Sequence, residues 1–436
     1  MKDDSRKVNI GDTFISLTNN EKYIEDAIEN GAERIICKSG KYDVETILVD
    51  DPRKYLSEYL DNKYYDKIEK IKLIGITGTN GKTTSSYLLW QILNKIGIKC
   101  GYIGTIGFYI EDKIKDLSNT TPDMLDLYEM IDECVDHGCK YVVMEVSSQA
   151  LSYGRIGNLM FDYTVFTNLT KEHLDYHKTM ENYALAKQKL FNHVKNKAII
   201  NIDDEYSNYF ILDINSNITY GFKESMYHIT NYNIANDMTL FKVNDIEYET
   251  NLIGKYNIYN LLTSIIILDL EGIEYDKKIY KNLDYPKGRM QIIKKDNNKI
   301  IIDYAHTPDG IKNVIETSRE LKPNNIITVV GAGGDRDSSK RSVMGKTATN
   351  LSNYVIFTND NPRTENELNI INDIIQDIDS SNFEIITNRE KAIIKGIQML
   401  KDNDILLVLG KGHEEYQIMG VEKIPFSDLL IIEENI

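Results

Sequence analysis

Apolar positions in this chain alternate between short, nearly continuous runs and longer stretches where they recur at helical spacing. The clearest case is IKLIGITG followed by TNGKTTSSYLLWQILNKIG, where Tyr87, Leu88, Leu93 and Ile96 recur at helical spacing until Gly97 stops the pattern. Strand-like runs follow at KYVVMEVS, YTVFTN and KAIINID, with helical stretches between them. Near-continuous apolar strands alternating with helices predict a parallel sheet covered on both faces. A second series of the same kind begins near YPKGRMQ. It runs through IIIDYAH, a helix from about Pro308, IITVVGAGG, YVIFTND, FEIITN, a helix over REKAIIKGIQML, and ILLVLGKG. That series reads as a second doubly wound, Rossmann-like domain. Before both lies a smaller block of strands, TFISL, RIICK and TILV, around the helical EKYIEDAIENGA. A helical link, YLSEYLDNKYYDKIEK, closes it.

The 436 residues are too many for one core. The predicted architecture is α/β in three domains: a small N-terminal domain over 1–70, a central domain over 71–284 and a C-terminal domain over 285–436. Charge sharpens the picture, because 51 basic against 67 acidic residues leave a net −16. That excludes nucleic-acid binding over the whole surface and leaves anions to local basic groups and backbone N–H donors. Cys37, Cys100, Cys134 and Cys139 lack metal-ligand spacing, the last two lying five apart in an expected helix, so free thiols of a reducing cytoplasm are expected. MKDDSRKVNIGD has no apolar signal core, and no run reaches the ~20 residues that span a bilayer. A cytoplasmic monomer without membrane insertion is expected.

GITGTNGKTTSS places a glycine-rich turn between a strand and a helix. The backbone N–H groups of Gly78, Thr79, Asn80, Gly81, Lys82, Thr83 and Thr84 can cradle a polyphosphate, with Lys82 on its outer phosphates and the Thr83 hydroxyl offered to Mg²⁺. The common spacing would put a glycine at Ile76; here the glycines are Gly75 and Gly78. Strand, glycines, Lys-Thr-Thr and helix agree, which favours a nucleoside triphosphate site of P-loop type over a tight turn with an incidental lysine. Motors, switches, kinases and ligases all use such a site. Downstream, Glu145 ends a strand where an aspartate is commoner. Asn168, His173, Asp175 and His177 gather after another strand, and Lys187 follows one helix later. Singly, His173 reads equally as a structural histidine and Lys187 as a solvated one.

The ordered set TGTNGKTT, NTTPD, MEVSS, FTNLTKEHLDYH, AKQKLF, DYAHTPDG, GAGGDRDSSKR, DNPRTENE and GKGHEEYQ, spread over residues 77 to 417, resembles the Mur ligases. The resemblance implies an ATP-dependent amide ligase: a substrate carboxylate attacks the γ-phosphate of ATP, and the amine of an incoming amino acid displaces phosphate from the acyl phosphate. It implies one Mg²⁺ at Thr83 and Glu145 and a second near His173. It also implies a carbamylated lysine at Lys187, whose pKa of ~10.4 burial and nearby Mg²⁺ would have to lower. Asn168, Asp303 and His306 are implied ATP contacts, and Arg289 would reach the transferring phosphate. From the residues alone, Asp303 could equally cap the next helix and His306 could simply pack.

By the same resemblance Ser5, Thr120, Thr121, Ser147 and Arg155 would hold UDP-MurNAc-L-Ala-D-Glu, and Arg341, Asp360, Asn361, Arg363, Gly410 and Glu414 the incoming amino acid. Arg363 bears on its identity, since meso-diaminopimelate ends in a carboxylate that a guanidinium grips with two hydrogen bonds, whereas lysine ends in an ammonium that it repels. The pattern departs at Gln149 (usually His), Glu172 (usually Asp) and Ser342 (usually Pro), and TNNEKYIEDAI replaces a glycine-containing loop of the first domain. These departures leave open a paralogue using L-lysine or another carboxylate. A folylpolyglutamate-type ligase, which shares the chemistry, is opposed by DNPR and DSR. A P-loop switch or transport ATPase would lack Asn168, His173 and Lys187 in register. A degenerate binding protein is opposed by Lys82, Glu145 and Arg363.

Overall fold

The computed structural model describes residues 1–213, 216–235 and 237–436. The chain forms two compact units, one of residues 1–77, 97–165 and 185–198, the other of 78–96, 166–184 and 199–436. In the first, the N-terminal strands Thr13–Ile15, Arg34–Cys37 and Glu45–Leu48 pair in parallel in chain order. The helix Glu21–Glu29, capped by the Asn20 side chain, covers them through Ile24 and Ala27. The link is the helix Pro52–Ile68, with Asp51 as its cap and proline at its first turn, where a missing N–H costs nothing.

The same unit carries the strand Lys72–Thr77, paired in parallel with Tyr141–Glu145, which pairs in parallel with Cys100–Gly104. All five residues of each of the latter two strands are buried, which is why they read as unbroken apolar runs. The edge is finished by the antiparallel strands Gly107–Tyr109 and Lys113–Lys115. The cysteine expectation needs one correction: the helix Met124–Asp136 contains Cys134 but ends before Cys139, where Gly138 adopts a left-handed φ of 78°. All four thiols are free and buried.

In the second unit the helix Lys82–Lys95 packs on the buried helix Lys255–Leu270. Between them in sequence lies a set of strands that the apolar pattern did not predict. Asn217–Gly221 pairs in parallel with Tyr227–Ala235, which continues antiparallel through Met238–Val243 and Ile246–Thr250. The C-terminal part is a six-stranded sheet in the order Gln291–Lys295, Asn298–Asp303, Ile405–Leu409, Ile326–Val330, Tyr354–Phe357, Phe383–Ile385. Its first pair is antiparallel and the rest parallel. The helices Pro308–Glu320 and Arg341–Leu351 pack into one core cluster and Arg389–Met399 into another, as a doubly wound sheet requires. The α/β architecture is therefore as expected, with antiparallel additions.

The parallel strands of this sheet end together. Asp303, Val330, Phe357 and Leu409 are their last residues, so Tyr304–His306, Gly331–Gly334, Thr358–Arg363 and Gly410–Glu414 leave the sheet at one edge, where open α/β sheets bind ligands.

Candidate active site

The phosphate loop is braced by the segment after the strand Phe161–Phe166. Thr79 N donates to Asn168 O at 2.9 Å, Asn80 N donates to Asn168 Oδ1 at 2.8 Å, and Asn168 Nδ2 returns a bond to Asn80 O at 3.1 Å. The displaced glycine follows from this contact. Ile76 lies inside the strand with no exposure, whereas at Gly78 (φ +153°) a Cβ would overlap the Thr167 hydroxyl. Gly81 (φ +85°) starts the helix Lys82–Lys95, and a Cβ there would stand 2.6 Å from Asn260 Oδ1. That helix has no side-chain cap, and its positive dipole end favours an anion. The Lys82 ammonium is anchored on the loop itself, donating to Gly78 O and Thr79 O at 2.8 Å each. Thr83 and Thr84 are buried in its first turn.

A cavity of about 500 Å³ runs from Asn80, Gly81 and Asn168 to Arg289, Asp303 and His306, a size suited to a nucleotide. Arg289 lies over the Tyr304 ring, 4.8 Å from its centroid, and its Nε is buried without a hydrogen-bond partner among the described residues. Asp303 does not cap the next helix. Its two oxygens accept from Met290 N and Ala305 N at 2.8 Å each, and Thr307 caps Pro308–Glu320. Burial pushes the Asp303 carboxyl up, against the Arg289 charge.

His306 does more than pack: its Nε2 lies 3.2 Å from Glu172 Oε1. Burial works against ionisation of Glu172, yet the bond to His306 and the charges of His306, His173 and Lys82 hold the carboxyl well below the usual range. The extra methylene of Glu172 has therefore a visible partner. His173 stands beside it at left-handed φ (55°), its Nε2 3.8 Å from Glu172 Oε2 and its side chain 42% exposed, which suits a ligand better than a core histidine.

Two asparagines missed in the sequence face the same cavity. Asn257 and Asn260 lie three apart on the apolar helix Lys255–Leu270, buried and bonded to one another, and Ser85 Oγ donates to Asn260 Oδ1 at 3.3 Å. Asparagines at helical spacing in a largely apolar, buried helix were the available signal.

In the first unit Glu145 is fully buried, its Oε1 accepting from Tyr102 OH at 2.6 Å and Thr105 N at 2.8 Å. Thr105 Oγ1 bonds Thr120 Oγ1 at 3.1 Å. Thr121 Oγ1 donates to Glu145 O and accepts from Ser147 N, and Arg155 Nη1 donates to Thr121 O. The structure thus brings Glu145, Thr120, Thr121, Ser147 and Arg155 together. Ser5 is buried in the N-terminal turn, where its carbonyl accepts from Asn30. Lys187 is 1% exposed, so it is no solvated helix lysine.

Mg²⁺ takes few protein ligands and completes its shell with phosphate oxygens and water. Within the second unit the Thr83 hydroxyl and the His173 imidazole are donors that suit that habit. Among the described residues no three His, Cys, Asp or Glu form a closed cage.

At the sheet edge Arg363 has φ +53°, its N–H donates to Ile418 O, and its Nη1 donates to Gly334 O at 2.6 Å. Asp360 is buried against Gly410, where a Cβ would overlap its carboxylate (φ +113°). Asn361 Nδ2 donates to Glu414 Oε2 at 2.8 Å. Arg341 is 1% exposed; its Nη1 and Nη2 are taken up by Glu365, Asp373 and Gly333 O, which braces the loop, while its Nε is buried without a hydrogen-bond partner among the described residues. The exposed arginine near Arg363 is Arg336: both flank Gly333, whose Cβ would stand 3.0 Å from Arg363 Nη1 and 3.9 Å from Arg336 Cγ.

A phosphate loop, a nucleotide-sized cavity and a pair of arginines at a neighbouring strand edge point to an enzyme of the nucleotide-dependent α/β class. The family profile of the Mur ligase middle domain matches residues 76–268, and that of the Mur ligase glutamate ligase domain matches 288–412. A UDP-N-acetylmuramoyl-L-alanyl-D-glutamate–2,6-diaminopimelate ligase of Clostridium botulinum is 41% identical over 455 residues, covering 99% of this chain and 94% of its own length. One of Aquifex aeolicus is 40% identical over 445 residues, covering 99% and 92%. A solved ligase structure of that same name superposes with a TM-score of 0.69 at 31% identity, over 100% of this chain and 93% of its own. The folylpolyglutamate synthase of Mycobacterium tuberculosis shares the fold, with a TM-score of 0.66 at 14% identity over 82% of this chain and 92% of its own. The chain belongs to the Mur ligases, the ATP-dependent amide ligases of peptidoglycan synthesis.

Proposed function

We propose that this ligase joins meso-diaminopimelate to the D-glutamate γ-carboxyl of UDP-MurNAc-L-Ala-D-Glu, converting ATP to ADP and phosphate, as a cytoplasmic monomer. Residues 1–70 would bind the UDP half, 71–284 the ATP, and 285–436 the incoming amino acid. Phosphoryl transfer to a carboxylate brings two anions together, so positioned cations lower its barrier most. Lys82 would move from the loop carbonyls to the β- and γ-phosphates, and the N–H groups of Gly78–Thr84 would hold their oxygens. Arg289, with an unused Nε over Tyr304, would meet the transferring phosphate. Asn168, Asn257, Asn260, Asp303 and His306 would fix the nucleotide. When bound, Mg²⁺ at Thr83, Glu145 and His173 would neutralise phosphate oxygens and the attacking carboxylate.

Lys187 is proposed to carry a carbamate, formed when its neutral amine adds CO₂ and releases a proton. Lys187 is buried, as such a modified side chain would be. Thr120, Thr121, Ser147 and Arg155 would hold the muramoyl peptide, with Ser5 on the uracil. The amine of the incoming residue would then attack the acyl carbon and expel phosphate.

The observation that carries the acceptor assignment is the sheet-edge pocket, in which Arg363 lies against Gly333–Gly334 beside an exposed Arg336, with Asn361 and Glu414 in the same edge. Two guanidiniums suit a far carboxylate, and Glu414 suits the ammonium next to it. Arg336 joins Arg341 in this proposed role. ADP release should require both substrates, with diaminopimelate far better than L-lysine. Arg363→Ala should lower kcat/KM for diaminopimelate by about 100-fold, the cost of losing one partner of a buried charged pair, and leave that for lysine nearly unchanged. Equal use of lysine and diaminopimelate by the unmodified enzyme would overturn the assignment.

A further inference from the structure

Between the glycines of GKGHE lies a lysine with no solvent exposure. Lys411 Nζ donates to Asn361 Oδ1 at 3.0 Å and to Glu414 Oε2 at 3.0 Å. Asn361 Nδ2 donates to the same Glu414 Oε2 at 2.8 Å, and Ile418 N donates to Asn361 Oδ1 at 2.9 Å. One buried ammonium thus orients the amide of Asn361 and pins one oxygen of Glu414, leaving Oε1 as the directional acceptor. The strand Ile405–Leu409 and the tight turn it enters, Gly410 at φ +113° and Gly412 at φ +54°, carry Lys411 inward beneath the pocket.

We infer that Lys411 is a specificity-determining residue for the amino-acid acceptor. It acts by its charge, held beside Glu414 and Asn361, and the inference rests on the proposed acceptor reading. Its effect on selection is electrostatic. Lys411 adds one buried positive charge directly behind Glu414, which favours the far carboxylate of diaminopimelate. Without Lys411 that attraction is lost, and Glu414 keeps only the bond from Asn361. An acceptor ending in an ammonium alone then loses nothing from the missing charge, while one that also carries a carboxylate loses an attraction. At an effective dielectric constant near 20, a unit charge several ångströms away is worth a factor of about ten or more. Orientation of Glu414 and Asn361 matters to both acceptors alike and cancels in their ratio.

The test is the kcat/KM ratio for meso-diaminopimelate over L-lysine in the full-length enzyme and in Lys411→Met and Lys411→Gln, with thermal melting to confirm folding. Methionine keeps the volume and removes charge and donors; glutamine keeps an N–H donor and removes only the charge. The ratio is expected to fall about tenfold or more in both variants. If both acceptors decline by the same factor, or neither changes, Lys411 is a structural brace and the inference is overturned. Retention of the ratio by glutamine alone would also overturn it, because hydrogen bonding and not charge would then be responsible. Failure of the unmodified enzyme to use diaminopimelate would instead refute the acceptor reading, and this inference with it, at an earlier arm of the same experiment.

Discussion

Lys187→Ala is expected to reduce ligation by about 10³-fold or more, the scale of losing a pre-organised charge from a transition-state site. A small carboxylate such as acetate or propionate added to the variant should restore part of the rate. The expectation rests on burial, since an aliphatic ammonium that is 1% exposed is costly unless neutralised, paired or modified. Rescue separates the two readings of that burial. A lysine that merely packs leaves a variant that no carboxylate improves, whereas one that carries a carbamate leaves a space where an external carboxylate can act. ADP release against carboxylate concentration, with a melting curve to show the variant folded, is the measurement. Full activity in the alanine variant would refute the assignment.

Lys82→Ala should lower kcat by a comparable factor of about 10³, with a much smaller change in the KM for the amino acid. Lys82 Nζ rests on Gly78 O and Thr79 O, so the charge is already held on the loop. Losing it removes an interaction that strengthens as charge builds on the γ-phosphate, and such losses appear in kcat. Lys82→Arg should not restore the rate, because a planar fork cannot occupy the two-carbonyl seat of a compact ammonium. Single-turnover phosphate release is the direct readout. Near-normal turnover by either variant would show that the loop only binds the nucleotide.

Much of this architecture was legible from spacing alone. Strands buried on both faces, such as Tyr141–Glu145 and Ile405–Leu409, announce themselves as apolar runs, and glycines or caps mark the helices between them. The strands from Asn217 to Thr250 escaped because polar residues interrupt their apolar ones, and all but Asn217–Gly221 are partly exposed. In Tyr227–Ala235 only Ile229 is buried, so neither period stands out.

The phosphate loop was legible for a different reason: its glycines are demanded by close approach, at Gly78 to Thr167 and at Gly81 to Asn260. Arg341 and Arg336 were not separable in sequence, since two arginines five apart give no hint of which one Glu365 and Asp373 will claim. Lys411 was hidden by its glycines, and only the folded chain puts its amine beside Asn361 and Glu414.

The step on which everything else depends is attack of the substrate carboxylate on the γ-phosphate. It can be followed by labelling both oxygens of the D-glutamate γ-carboxyl with ¹⁸O and analysing the phosphate released during ligation. One ¹⁸O per phosphate is expected, because a carboxylate oxygen leaves with the phosphoryl group when the amine displaces it. Phosphate free of label, alongside formation of the new amide, would contradict the acyl-phosphate route.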